Sequence, residues 1–110
     1  MAYEPKQGDI IMLDFDPQTG HEQKGRRPAL VISNGAFHKR TNLAMVCPIT
    51  SRVSRFPTHV FLDGITKING EVMCEQAKCL DIKARNVSFV ESAPYEVIEE
   101  MIDMICSFVE

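Results

Sequence analysis

Tryptophan is absent from this 110-residue chain, and aromatic residues make up only 7% of it. No apolar run approaches the roughly 18 residues that a membrane span requires. The start, Met1-Ala2-Tyr3-Glu4-Pro5-Lys6, has neither a basic n-region nor an apolar h-region, so it does not read as a secretory signal. The cysteines Cys47, Cys74, Cys79 and Cys106 form no C-x-x-C pair, and His21, His38 and His59 do not stand near them at zinc spacing. Free thiols in a reducing, cytoplasmic compartment are therefore expected, with no disulfide, metal or cofactor. Cys47, Cys74 and Cys106 sit in apolar stretches and are expected to be buried. Against these absences stand 45% hydrophobic and 25% charged residues, the ordinary composition of a soluble globular protein. The length fits a single domain.

The formal net charge is −3, which taken whole argues against a nucleic-acid partner. Its placement argues otherwise. No Asp or Glu occurs between Gln23 and Leu62, yet Lys24, Arg26, Arg27, Lys39, Arg40, Arg52 and Arg55 all fall there. From Pro94 onward the pattern inverts, with Glu96, Glu99, Glu100, Asp103 and Glu110 and no base. A long basic stretch is either a solvated face or the footprint of a polyanion.

Asp9 to Phe15 reads as a strand entering a core. Asp16 to Arg27 reads as a polar loop broken by Pro17, Gly20 and Gly25. Pro28 to Ser33 is an almost continuous apolar run, expected to be covered on both faces. Asn34 to Asn42 is a polar connection with room for a helical turn, and Leu43 to Ile49 is another apolar strand. Thr58 to Leu62 alternates and suits a half-buried strand. Turn residues Asp63-Gly64 and Asn69-Gly70 lead to short strands at Glu71–Cys74, Ala77–Ile82 and Asn86–Val90. At the end, Val97, Ile98, Met101, Ile102, Ile105, Phe108 and Val109 recur at helical spacing, with Ser92 as N-cap and Pro94 in the first turn. Short strands plus one terminal amphipathic helix predict a mainly β protein, a small and strongly bent antiparallel barrel.

Polar and charged residues gather in three places: Gly20 to Pro28, Pro48 to Arg52, and Glu75 to Lys78. Loops held by a sheet are where sites concentrate. RNA cleavage needs no external nucleophile, because the ribose 2′-OH supplies one. It needs a base for that proton, a cation for charge developing at phosphorus, and an acid for the leaving 5′-oxygen. Arg suits the cation role because its planar fork matches phosphate oxygens. His21, Glu22, Arg27, Thr50 and Glu75 are residue types able to supply such a set. By spacing alone, Arg26-Arg27 is equally a solvated pair, Thr50 a turn hydroxyl, and Glu75-Gln76 a strand end bonded to a neighbouring loop.

The ordered motifs narrow this choice. Gly8-Asp9-Ile10, then Gly20-His21-Glu22-Gln23-x-Gly25-x-Arg27-Pro28-Ala29-Leu30-Val31, then Pro48-x-Thr50-Ser51, then Glu75-Gln76-x-Lys78 together resemble the MazF/PemK toxins. The resemblance runs from about Gly8 to the end of the last helix. It implies one toxin domain over residues 1–110, an SH3-like antiparallel barrel with a C-terminal helix, and a homodimer. It also implies an mRNA interferase: a metal-independent, sequence-specific endoribonuclease that leaves a 2′,3′-cyclic phosphate and a 5′-OH on single-stranded RNA. A MazE-like antitoxin would lay a disordered acidic tail over the RNA sites.

Carried over by motif, Arg27 matches the arginine that acts as acid or base and stabilises the transition state. Thr50 matches the threonine that hydrogen-bonds the phosphate, and Glu22 matches a loop glutamate proposed as base. A second branch uses the His of the Gly-His-Glu-Gln element, here His21, an Arg two residues before an Asp-Gln pair, and that Asp. Here Met73 stands at the Arg position and Glu75 at the Asp position. For RNA binding, Phe15 and Phe56 could stack on bases, although core packing also suits Phe15. Gln23, Lys24, Arg26, Ser51, Arg52, Arg55, Gln76 and Lys78 are the further candidates for RNA contact. Two other readings remain open: a non-catalytic toxin of the same fold acting on DNA gyrase, and an RNA-binding barrel.

Overall fold

Apolar segments of the chain become antiparallel strands: β1 (Asp9–Asp14), β2 (Arg26–Val31), β3 (Ala44–Thr50), β4 (His59–Phe61), β5 (Glu71–Met73), β6 (Lys78–Leu80) and β7 (Ser88–Ser92). Two helices join them, α1 (Gly35–Thr41) and α2 (Tyr95–Ser107). The structure, a computed structural model, describes residues 3–15 and 25–110. The strands lie in the order β4-β5-β3-β2-β1-β7, with β6 also paired to β3. One edge of β3 pairs with β2, from Ala29–Pro48 to Val31–Val46. Its other edge pairs first with β6, Ala44–Leu80 to Val46–Lys78, and then with β5, Ile49–Val72 and Thr50–Glu71. Two successive partners on one edge force the sheet to bend. Past the 3-10 turn Ile82–Ala84, the Arg85 carbonyl accepts the Asp14 N–H at 2.8 Å, drawing the chain back over β1. The expected barrel is present as a curled sheet; among the described residues no ladder joins β4 to β7.

Both surfaces of this sheet are covered. Ile10, Leu30, Cys47, Ile49, Val60, Leu62 and Val72 pack with Val97 and Met101 of α2. Ile11, Leu13, Ala29, Val31, Ala44, Val46 and Ile82 form a second core on the other side. Ala29 through Ile32 are all buried, as the continuous apolar run predicts. Burying a side chain such as Leu30 or Met101 fully contributes about 1.5–3 kcal/mol.

Several expectations are corrected. Arg26 and Arg27 belong to β2 rather than to the preceding loop, because their backbones pair with Asp14 and Leu13. Gly25 closes that loop, its carbonyl accepting the Phe15 N–H at 2.9 Å, and residues 16–24 lie outside the described residues. The half-buried strand at Thr58–Leu62 is buried on both sides at its start: His59 is 8% exposed and Val60 fully buried. Ser92 does not cap α2, because its backbone still pairs with Asp9 in β7. Pro94 caps it with no side-chain bond, and its carbonyl accepts from Val97 N–H at 3.0 Å. The apolar stripe of α2 is only partly covered, with Val97 and Met101 buried and Ile102 exposed, and the helix ends at Ser107, short of the exposed Phe108 and Val109. Cys47 and Cys74 are buried as expected, but Cys106 is exposed, on the solvent side of α2. The connection after β2 does contain a helix. Asn34 caps it by accepting from Phe37 N–H at 3.0 Å, and Asn42 ends it in the left-handed region at φ 60°.

Candidate active site

Side chains alternate across a strand. In β2, Ala29 and Val31 enter the second core while Leu30 and Ile32 enter the first. Arg27 therefore belongs to the Ala29 face. In β3, Val46 lies in the second core and Cys47 and Ile49 in the first, so Thr50 shares that face. The register that pairs Ala29 with Pro48 carries Arg27 and Thr50 to matching places two residues further on. Across β1, Leu13 pairs with Arg27 and Phe15 continues the same row. On the other side Thr50 pairs with Glu71, which pairs with Phe61. One end of one face thus gathers Arg27, Thr50, Glu71 and Phe61 from four neighbouring strands, with Phe15 just past the end of β1.

Local bonds fix the Thr50 end. Its hydroxyl oxygen accepts the Arg52 N–H at 3.2 Å, which turns the chain after β3 and leaves Ser51 and Arg52 exposed. Glu75 stands on the 3-10 turn Cys74–Gln76 that ends β5. One of its oxygens accepts the Thr58 hydroxyl at 2.6 Å, and the other lies 3.3 Å from His59 Nε2. Burial would raise the Glu75 carboxyl. The Thr58 hydroxyl, its own backbone N–H and His59 outweigh that and hold it below the usual range.

Sequence reasoning passed over the pair beside it. Glu71, only 3% exposed, faces His59 Nδ1 at 2.8 Å. It also accepts the Ser54 N–H at 3.1 Å, the Ser54 hydroxyl at 3.2 Å and the Arg55 N–H at 2.9 Å. Burial would raise its carboxyl, but these donors, His59 foremost, lower it to about 2. Glu71 thereby ties the loop after β3, where Arg55 adopts φ 56°, to the sheet. The available signal was a polar residue alternating with a core valine in each strand, His59 beside Val60 and Glu71 beside Val72. Their pairing needs a register that a long connection leaves unspecified.

The other candidates are placed unevenly. The Phe56 ring is 51% exposed and lies 5.3 Å from that of His59. The Arg55 guanidinium sits 4.6 Å above the Phe61 ring and 3.5 Å from Asp63. Lys78 Nζ lies 5.8 Å from the Phe15 ring centre, so β6 reaches over the same face. Gln76 is exposed on the 3-10 turn. Arg26 is not brought to this face. Alternation turns it the other way, where it donates to the Asn86 carbonyl and to the Ser88 hydroxyl at 2.8 Å, with Asp14 at 3.9 Å. Lys39 and Arg40 are on α1, beyond the far end of β3, roughly 20 Å of strand from Thr50. The basic window of the sequence is therefore split in space. His21, Glu22, Gln23 and Lys24 lie outside the described residues.

A pocket of about 200 Å³ opens beside Thr50, lined by Ser51, Val53, Asp63, Asn69, Gly70 and Glu71. A larger cleft of about 430 Å³ lies by α1 and contains none of the candidate residues. Size alone would favour the cleft, but the convergent polar groups stand by the smaller pocket. Among the described residues no group of three His, Cys, Asp or Glu side chains is arranged to hold a metal ion, and no helix is long and apolar enough to cross a membrane.

A curled antiparallel sheet with a terminal helix, carrying an arginine, a hydroxyl and ionised carboxylates on one face, defines a small β-rich protein with a polar surface site. The family model for the PemK-like, MazF-like toxin of type II toxin–antitoxin systems matches residues 6–109, and the chain belongs to that family. The chain is 36% identical over 103 residues to endoribonuclease PemK of Escherichia coli, covering 88% of this chain and 76% of that protein. The crystal structure of MazF from Deinococcus radiodurans superposes with a TM-score of 0.84 at 37% identity, over 97% of each chain. A MazE–MazF structure from the same organism gives 0.82 at 32% identity, over 97% of this chain and 96% of that one.

Proposed function

We propose that this chain is the endoribonuclease toxin of a toxin–antitoxin pair, cutting single-stranded mRNA at specific sequences without a metal. The observation that carries this reading is the convergence of Arg27 and Thr50 on one face, with the Glu75 carboxylate held on the turn after β5, the strand beside β3. In the reaction a base takes the ribose 2′-OH proton and the freed oxygen attacks phosphorus. The 5′-oxygen then leaves with a proton from an acid, giving a 2′,3′-cyclic phosphate and a 5′-OH. Arg27 donates to the non-bridging oxygens as negative charge builds there, and serves in proton transfer. The Thr50 hydroxyl hydrogen-bonds the same phosphate. Glu22, His21 and Glu75 are the candidate proton acceptors.

Phe15 and Phe56 would stack on unpaired bases, while Arg52, Arg55 and Lys78 would contact phosphates and Ser51 and Gln76 base edges. The neighbours described as MazE–MazF complexes support a MazE-like antitoxin as partner, with an acidic tail competing for this surface of a cytoplasmic homodimer. The test is incubation of the purified protein with several long single-stranded RNAs in EDTA, with primer extension and end-group analysis. Cuts that recur at one short motif and leave cyclic phosphates are expected. RNA bound but uncut would instead favour the RNA-binding barrel, and inhibition of DNA gyrase without cutting the gyrase-directed toxin.

A further inference from the structure

We propose that His59 is a positioning residue for Glu75, clamped from behind by Glu71, and that its ring sets where the Glu75 carboxylate stands and how readily it takes a proton. This rests on the ribonuclease reading of the face. The ring lies between two carboxylates from different elements: Glu71 on β5, 2.8 Å from Nδ1, and Glu75 on the following turn, 3.3 Å from Nε2. Glu71 is an acceptor only, so Nδ1 carries a proton and donates to it. The second nitrogen then decides the state of Glu75. With Nε2 protonated, it donates to Glu75 and holds that side chain. With Nε2 bare, a lone pair faces a carboxylate oxygen and the contact turns repulsive.

The charged groups around the ring are few. They are Glu71, Glu75 and Arg55, whose N–H bonds Glu71 while its guanidinium faces Asp63. Phe56 packs beside the ring, and the Thr58 hydroxyl holds the other oxygen of Glu75. Glu71 has the Ser54 and Arg55 donors besides His59, so tying the loop to the sheet does not depend on this ring alone. What His59 adds is reach, from a buried carboxylate to one on an exposed turn. Glu at position 75 fits this: an Asp, one methylene shorter, would withdraw its oxygens from both Thr58 and His59.

The test is single-turnover cleavage of one long RNA from pH 5 to 9, the span that includes the range where histidine side chains change charge. Wild type, His59→Gln, Glu75→Gln and the double variant are compared. His59→Gln is expected to lower kcat about 10-fold with KM nearly unchanged and to remove one limb of the pH profile. In the double variant the losses should not add, because both changes remove one coupling. Should His59→Gln melt below the assay temperature, the ring nitrogens are followed by ¹⁵N NMR in wild type and Glu75→Gln. Loss of Glu75 should then change the Nε2 resonance at a fixed pH, because the group 3.3 Å from it is replaced. A His59→Gln enzyme that keeps the wild-type rate and profile, additive losses, or an unmoved Nε2 resonance overturns the proposal while the ribonuclease reading stands. Wild-type protein that cuts no RNA overturns that reading and the proposal with it.

Discussion

The carbonyl oxygen of Thr50 stands 2.1 Å from where a β-carbon on Gly70 would lie, and Gly70 itself has φ 131°. Two restrictions coincide there, one on backbone conformation and one on space, and both are backbone-bound. Gly70→Ala should therefore cost on the order of 3 kcal/mol and push Thr50 out of line with Arg27. Thermal melting and cleavage should fall together. An alanine variant that melts like wild type would show that the two segments separate easily.

Arg27 is exposed at the end of β2, so its removal should leave the fold nearly untouched, within about 0.5 kcal/mol. If it stabilises the charge at phosphorus, Arg27→Ala should lower the cleavage rate by about 10²–10³. Thr50→Val should lower it less, because a neutral hydroxyl contributes one hydrogen bond. Arg52→Ala should act differently, weakening RNA binding and reducing the salt slope by about 0.7. Single-turnover rates and binding measured across a salt series separate the cases; equal losses in rate for Arg27→Ala and Arg52→Ala would remove the distinction.

Strand order along the chain was legible because Ala29 to Ile32 and Ala44 to Ile49 are apolar runs of strand length. Arg27 and Thr50 were legible as a pair only through motif resemblance; what joins them is the Ala29–Pro48 register, and no local pattern encodes a register. The same gap hid His59 and Glu71, which read separately as polar positions on short strands. Arg26 was misplaced for the opposite reason. Adjacent basic residues look alike in sequence, but on a strand they point to opposite faces, and Arg26 is taken up by Asn86 in the turn before β7 and by Ser88 at its start, some sixty residues on.

Cysteine chemistry follows burial in the first core, which holds Cys47 and Cys74. Extending the Ile49–Val72 register by two residues sets Cys47 opposite Cys74, both buried. The neighbouring Cys74 thiol first, and burial second, push the Cys47 thiol above its ordinary range. Cys79 and Cys106 are exposed. Iodoacetamide should therefore modify Cys79 and Cys106 in the native protein and reach Cys47 and Cys74 only on unfolding, as read by intact mass and peptide mapping. Native labelling of Cys47 at the rate of Cys79 would contradict the packing of this core.

Glu71 makes acid stability predictable in sign. Its carboxyl is held at about 2 in the folded chain against 4.5 for the free group. A folded value below the unfolded one means that its contribution is fully present above pH about 4.5 and is lost as pH falls toward 2. Glu75 is shifted the same way, but it stands on an exposed turn where solvent screens its contacts. Urea midpoints of wild type should therefore drop through the window from pH 4.5 to 2. Glu71→Gln should be less stable at pH 7 yet lose less through that window, and Glu75→Gln should stay close to wild type. The glutamine oxygen can still accept the Ser54 and Arg55 N–H groups, while its amide nitrogen, a donor, takes the place of the oxygen facing His59 Nδ1, so Glu71→Gln removes the charge and the His59 bond together. Parallel curves for wild type and Glu71→Gln through the window would mean that the His59–Glu71 contact does not hold the proton off this carboxylate.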